Sequence, residues 1–236
     1  MPDAPLLEIV KHAAPLRQQV ENALRQAIID GRFRPGQRLT ERELTDNMGV
    51  SRTLVREAFR QLESEGLITV IPNRGPIVRE LSADEIQDLY AIRAVLEGLA
   101  ARTFTEKADD KSLQLLGKAA ADTIAAYKAG DTAGALEGKN RFYGILVDGA
   151  GSPSLSTMLA TLHTRIRQWR AIGITHPNRS PNRSQEAADG MQEIWSAISR
   201  RDAAAAESAT RDEARRGAAE LMRLLAAVPA GIAAQA

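Results

Sequence analysis

Residues 49–68 read "GVSRTLVREAFRQLESEGLI". Val55, Ala58, Phe59 and Leu62 recur at i, i+3, i+4 and i+7, the apolar stripe of an amphipathic helix. Arg52, Arg56 and Arg60 recur every four residues on a different face, with Thr53 beside them. Ser51 stands where an N-cap is needed, and Gly66 ends the pattern. Spacing alone leaves two readings of the arginine stripe. It is a solvated face paired with Glu57, Glu63 and Glu65, or a face that holds phosphates and base edges.

The flanking sequence decides between them. Upstream, "LRQQVENALRQAIIDG" (16–31) places Leu16, Val20, Ala23, Leu24, Ala27 and Ile28 on one stripe and stops at Gly31. "RFRPGQRL" (32–39) turns at Pro35-Gly36, and "TERELTDNMGV" (40–50) opens with Thr40 three residues before Glu43, a capping box. Downstream, "LITVIPNRGPIVREL" (67–81) reads as two short strands around a Pro72–Pro76 turn. Helix, short capped helix, glycine turn, helix and hairpin make a winged helix-turn-helix, in which the second helix enters the major groove. Arginines outnumber acids across residues 32–60. In this setting Arg52, Thr53 and Arg56 face the bases, Ser51 and the free N–H groups behind it suit a phosphate, and Arg42 touches the backbone. Arg60, late in the helix, is solvated or holds a phosphate. Asn73, Arg74 and Gly75 form the wing tip, where a glycine permits close approach to the minor groove.

From Ser82, itself in a capping box with Glu85, the pattern is helical almost throughout. Breaks near 108–111, 130–131, 149–153, 173–184 and 201–202 divide it into about six helices, an antiparallel bundle by loop length. The polar segment "THPNRSPNRSQ" (175–185) contains a small duplication. The expected organisation is a flexible arm (1–14), a winged helix-turn-helix (15–80), a helical effector and dimerisation domain (81–226) and a flexible tail (227–236). The fold class is mainly α.

Composition bounds the function. The chain has 236 residues, 4% aromatics, a net charge of +1 and no cysteine. Bulk charge therefore names no partner, while disulfides, Cys-zinc sites and thiol catalysis are excluded. No signal-peptide pattern and no apolar run near the ~20 residues of a membrane span is seen, so a cytoplasmic protein without a membrane partner is expected. The sequence holds no clustered histidines, no glycine-rich phosphate loop and no paired carboxylate motif, so an enzyme is not expected.

The segment "GRFRPGQRLTERELTDNMGVSRTLVREAFRQLESEGLI" (31–68) resembles the DNA-binding domain of the GntR superfamily. The resemblance covers nearly all of residues 16–79 and assigns DNA contacts to Arg42, Arg52, Thr53, Arg56 and the wing at Asn73–Gly75. Residues 82–225 resemble the FCD effector domain of the FadR-like branch through "LYAIRAVLEGLAAR", "RFYGILVDGAGSPSL" and "MQEIWSAISRRDAAAAESATRDEAR". The resemblance implies a homodimer that binds double-stranded operator DNA and a small effector, with repression the commoner outcome.

Many members of that branch hold a divalent metal in the bundle core through a D-x-x-F-H motif, a histidine in H-x-x-I-x-x-A-I and a further histidine on the last helix. Here those positions carry Lys139, Tyr143, Met191 and Glu213, so no cofactor is expected and a Lys139–Glu213 ion pair is. His12, His163 and His176 lie one per region, as surface or satisfied core residues. Arg93 and Glu97 share a helical face with Ile86, Leu89 and Ala100, either as a structural salt bridge or as the anchor of a carboxylate ligand. Arg165, Tyr143, Met191 and Trp195 complete the candidate pocket. An organic acid or an aromatic metabolite both remain open, as does a bundle that only dimerises.

Overall fold

A computed structural model describes residues 14–29 and 31–226 of the chain; most of the arm at 1–14, with His12, and the tail at 227–236 lie outside them. The described residues fall into two compact units, divided between Glu80 and Leu81. Among the described residues, no helix is long and apolar enough to cross a membrane.

The first unit runs α1 (Ala14–Ile29), α2 (Glu41–Met48), α3 (Arg52–Ser64), β1 (Ile68–Ile71) and β2 (Gly75–Val78). Thr40 caps α2 by accepting from the Glu43 N–H, and Ser51 caps α3 by accepting from the Leu54 N–H. Between them Gly49 adopts a left-handed φ of 64° and returns its N–H to Thr45 O. Val55, Ala58, Phe59 and Leu62 are buried, joined by Leu24, Ile28, Leu39 and Leu44 in one apolar core. The stripe expected on α1 is narrower than its sequence pattern: Val20, Leu24 and Ile28 are buried, whereas Leu16 and Ala23 face solvent. Only the edge of α1 turned toward α3 finds a partner. β1 and β2 pair antiparallel, Ile68 opposite Val78 and Ile71 opposite Gly75. Asn73, at φ 65°, makes the reversal at the tip.

The second unit is an antiparallel bundle of α4 (Ala83–Lys107), α5 (Asp110–Ala129), α6 (Thr132–Gly149), α7 (Pro153–Thr175), α8 (Arg183–Ser199) and α9 (Ala203–Ala226). Side-chain caps start five of the six: Ser82, Asp109, Asp131, Ser152 and Asp202 each accept an N–H from the first turn of the next helix. Ser82 and Glu85 complete both halves of their capping box. Arg201 donates to Ala108 O and Thr105 O, satisfying carbonyls at the end of α4. α4 packs along α9, and α5 lies between α6 and α8.

Helices α5 and α6 meet at Gly138. A Cβ there would sit 2.5 Å from Thr123 Oγ1 and 3.2 Å from Thr123 Cα, and Thr123 is wholly buried. The backbone on one side leaves little room to give. Gly138→Ala is therefore expected to destabilise the bundle by about 1–3 kcal/mol through overpacking, read as a lower midpoint in urea unfolding. An unchanged midpoint would refute the close approach.

Candidate functional site

The N-terminal unit presents a basic face. Ser51, Arg52, Thr53 and Arg56 are exposed at the start of α3, and Arg42 is exposed on α2. Capping leaves the Ser51 hydroxyl hydrogen free to donate. Arg56 Nε donates to Glu41 Oε1 at 2.7 Å, which holds one edge of the guanidinium while its side chain stays 61% accessible. The Arg56 hydrogen bond lowers the Glu41 pKa, against the opposing effect of burial. Asn73 and Arg74 are exposed at the hairpin tip beside half-buried Gly75, whose φ is 80°. A residue not singled out from the sequence joins them. Arg38 bridges Ile77 of β2 and brings Nε to 4.0 Å from where a Gly75 Cβ would stand. Its only sequence signal is an arginine immediately after a Pro-Gly turn.

The bundle holds a network of buried charges. Glu97, with no exposure, receives three partners on Oε1: Arg93 Nε at 3.0 Å, His163 Nε2 at 2.7 Å and Arg170 Nη2 at 3.2 Å. The Arg93 approach is an ion contact outside hydrogen-bond geometry, and Glu97 Oε2 has no partner. Burial pushes the Glu97 pKa up, but Arg93, His163 and Arg170 together bring it well below the carboxylate range. Burial lowers the His163 pKa, only partly offset by its Glu97 bond. Nearby, Lys139 Nζ donates to Glu213 Oε1 at 2.7 Å, and Arg183 Nη2 donates to the same oxygen at 3.1 Å. Gly190 leaves the space: a Cβ there would stand 2.9 Å from Glu213 Oε2. Tyr143 lies between the two clusters in chemistry. The guanidinium carbons of Arg93 and Arg170 stand 5.7 and 5.6 Å from its ring centroid, and its buried hydroxyl has no partner.

Beside these groups is a cavity of about 30 Å³. Its cationic lining is Arg93, Lys139, Arg170, Arg179 and Arg183, with Tyr90, Tyr127 and Glu220 among its other walls. Burial and repulsion from Arg93 lower the Arg170 pKa, and burial lowers that of Arg179. Of the residues expected from the sequence, Arg93 and Lys139 line this cavity. Glu213 and Tyr143 support the lining residues from behind. Arg165, Met191 and Trp195 are not among its walls, which corrects the expected pocket. Met191 is fully buried in the apolar core, Trp195 packs over Gly117, and Arg165 is half-buried elsewhere on α7. Arg170, Arg179 and Arg183 were missed. The signal for two of them was the duplication "PNRSPNRS" (177–184), which contributes one arginine per copy.

The metal implied by the fold family does not fit these residues. Lys139 places an ammonium against the one carboxylate of the set, and Tyr143 and Met191 offer no ionised ligand. Among the described residues, no group of three or more His, Cys, Asp or Glu converges.

Comparison with known proteins places both units. Residues 16–78 match the bacterial regulatory proteins of the gntR family, and residues 88–228 match the FCD domain. The chain is 30% identical over 181 residues to the uncharacterized HTH-type transcriptional regulator YdhC of Bacillus subtilis, covering 76% of this chain and 81% of that protein. Over 88 residues it is 38% identical to the HTH-type transcriptional repressor RspR of Escherichia coli, covering 37% of this chain and 39% of that one. A crystal structure of a putative GntR transcriptional regulator from Rhodococcus superposes with a TM-score of 0.73 at 26% identity, covering 91% of this chain and 99% of that one.

Glu213→Gln would leave Lys139 and Arg183 buried around a neutral amide. We expect a loss of about 3–5 kcal/mol in the stability of the bundle by denaturant unfolding. The pH dependence follows from the same pair. The cations around Glu213 and Glu97 hold their pKa values below the ordinary 4.5. Their stabilisation is complete above pH 4.5 and is lost as pH falls toward the depressed values. The acid-induced drop in the melting temperature should shrink in Glu213→Gln; an identical drop would exclude this carboxylate as a source.

Proposed function

The chain belongs to the gntR family of bacterial regulatory proteins and is a DNA-binding transcription regulator with an FCD domain, not an enzyme; from that premise we propose that it is a metal-free, effector-responsive cytoplasmic repressor acting as a homodimer. The observation that carries the DNA reading is the exposed Arg52–Thr53–Arg56 edge at the start of α3, flanked by Arg42 and the Asn73–Gly75 wing. Arg52 and Arg56 take the base edges of a half-site in the major groove, bidentate on guanine O6 and N7 where the sequence provides one. Ser51 and Arg42 hold phosphates, and Arg74, with Arg38 behind it, tracks the minor groove. Occlusion of a promoter by such a dimer is sufficient for repression, and one relative is named as a repressor.

Support for the dimer comes from α4. Ile92, Val95 and Leu99 follow one another at i, i+3 and i+7 and are 44, 52 and 43% exposed, on a helix whose other face is buried. A stripe of large apolar side chains left in water suits a two-fold, self-complementary seam. Two half-sites then lie on one face of the DNA. An effector in the bundle alters operator affinity to the extent that it binds the DNA-competent and incompetent arrangements differently.

Footprinting on the DNA upstream of the neighbouring genes tests the docking mode. Arg52→Ala or Arg56→Ala is expected to lower specific affinity by at least tenfold, since each bidentate base contact is worth about 1–3 kcal/mol, with dimer and melting temperature unchanged. Retained protection in both variants would rule the docking mode out. Val95→Asp is expected to shift the protein from dimer to monomer in sedimentation, with loss of operator binding; a variant that stays dimeric would place the seam elsewhere.

A further inference from the structure

We infer that the cavity of the helical unit is a site for one compact dianionic group, a phosphate monoester or a short dicarboxylate, gripped by Arg93, Arg170, Arg179, Arg183 and Lys139. This deepens the effector reading above and depends on it only for the consequence at the operator.

Charge counting comes first. Four of the five cations, Arg93, Lys139, Arg170 and Arg183, are buried and meet two buried carboxylates, Glu97 and Glu213, while Arg179 is half-exposed and Glu220 is taken by Arg223; the buried set is left with a surplus of two positive charges. Arg93, Arg170 and Arg183 are each at least nine-tenths buried, at 2, 5 and 5% exposure. Buried charge without a counter-charge is expensive, and among the described residues no further acid lines the cavity. A monoanion would leave one charge over, and a dianion brings the site to balance.

Unsatisfied donors come second. Arg93 Nη2, Arg170 Nε, Arg183 Nη1 and Arg179 Nε are buried N–H groups with no hydrogen-bond partner. Native interiors leave few such groups, and four on residues lining one cavity ask for an acceptor-only guest with several oxygens. The rings of Tyr90 and Tyr127 stack on the guanidiniums of Arg93 and Arg179 at 5.1 and 5.8 Å, which fixes two of the forks in place. About 30 Å³ of space for a water-sized centre admits a water or a small oxyanion head.

The duplicated "PNRS" supplies the closure. Its first copy carries Arg179 and ends in Ser180, whose N–H and hydroxyl donate to the two oxygens of Glu220, both at 2.7 Å. Arg223 Nη2 donates to Asn178 O at 2.6 Å and ties the same loop to α9. Its second copy begins α8 and carries Arg183. The duplicated segment thus brings two of the five cations and is latched to α9 through Glu220 on the cavity wall and through Arg223.

The test is equilibrium dialysis of the full chain against inorganic phosphate, succinate, acetate and benzoate at matched ionic strength, with operator binding measured in parallel. Phosphate or succinate, or both, should bind saturably at one per chain, and their ranking identifies the source of the dianion. Acetate and benzoate should bind at least tenfold more weakly. Arg179→Gln, on the half-exposed loop, should melt like the parent without ligand yet bind the dianion roughly tenfold more weakly, and Arg179→Lys should recover part of that loss. The inference is overturned if neither dianion binds, if acetate matches them, or if Arg179→Gln binds them unchanged. Benzoate binding alone, with a shift in operator affinity, would sink the dianion and keep the effector reading. A dianion bound one per chain with operator affinity untouched would keep the site and sink the effector reading.

Discussion

Burial of the Glu97 carboxylate is the constraint from which the rest of the bundle follows. A carboxylate wholly removed from water must be answered by cations, because its ionised form has no other compensation. Arg93 comes from its own helix, α4, and Arg170 and His163 come from α7. Glu213 on α9 repeats the device with Lys139 from α6 and Arg183 from α8. Two acids therefore draw five of the bundle's helix and loop segments around one charged centre, set within an apolar core of Phe104, Leu116, Phe142, Leu146 and Leu159. Such ion clusters add little net stability relative to apolar packing, but each half is costly to remove. The arginines bring more donors than the two acids can accept, and the excess donors mark where chemistry can enter.

The N-terminal unit is organised the opposite way. Its buried core is aliphatic apart from Phe59, and its charges stand outside except for Glu21, which is buried beneath a bond from Arg17. The caps at Thr40 and Ser51 and the left-handed Gly49 fix the angle between α2 and α3 through backbone geometry, not side-chain charge. The exposed side chains of α3 are thus held on a frame set by backbone geometry, while the centre of the bundle is held by ion pairs.

Much of this was legible in the sequence because it rests on local rules. The helix, glycine turn and hairpin of the first unit follow from caps, period and turn residues within a window of a few residues; the Lys139–Glu213 pair, 74 residues apart, was suggested only by the family resemblance, whose metal positions the two residues occupy. The cavity was only half legible. Arg93 stood out as a charge on an apolar stripe, but Arg170 and Arg183 reach the same cavity from α7 and α8. Nothing in the neighbourhood of Arg170 distinguishes it from Arg165 or Arg167, because which way a helix turns its face is decided by packing, and Arg183 carried only the signal of the duplication. Met191 and Trp195 misled for the same reason. Their spacing gives a buried stripe, which is correct, and does not say whether that stripe meets a cavity or a neighbouring helix. Arg38 was hidden because its partner strand lies about forty residues away.

The contact between Glu41 and Arg56 has a consequence for how the protein travels on DNA. In the free protein one of the recognition arginines is already neutralised by a carboxylate of the same unit. Random sequence, which offers only phosphates, competes with that carboxylate for a guanidinium already held in a charge-assisted bond. On the proposed docking mode this competition would weaken the hold on unrelated DNA. A cognate half-site offers base acceptors that the remaining guanidinium edge can reach without giving up Glu41. In that docking mode, discrimination between random and cognate sequence would rest on two edges of a single side chain.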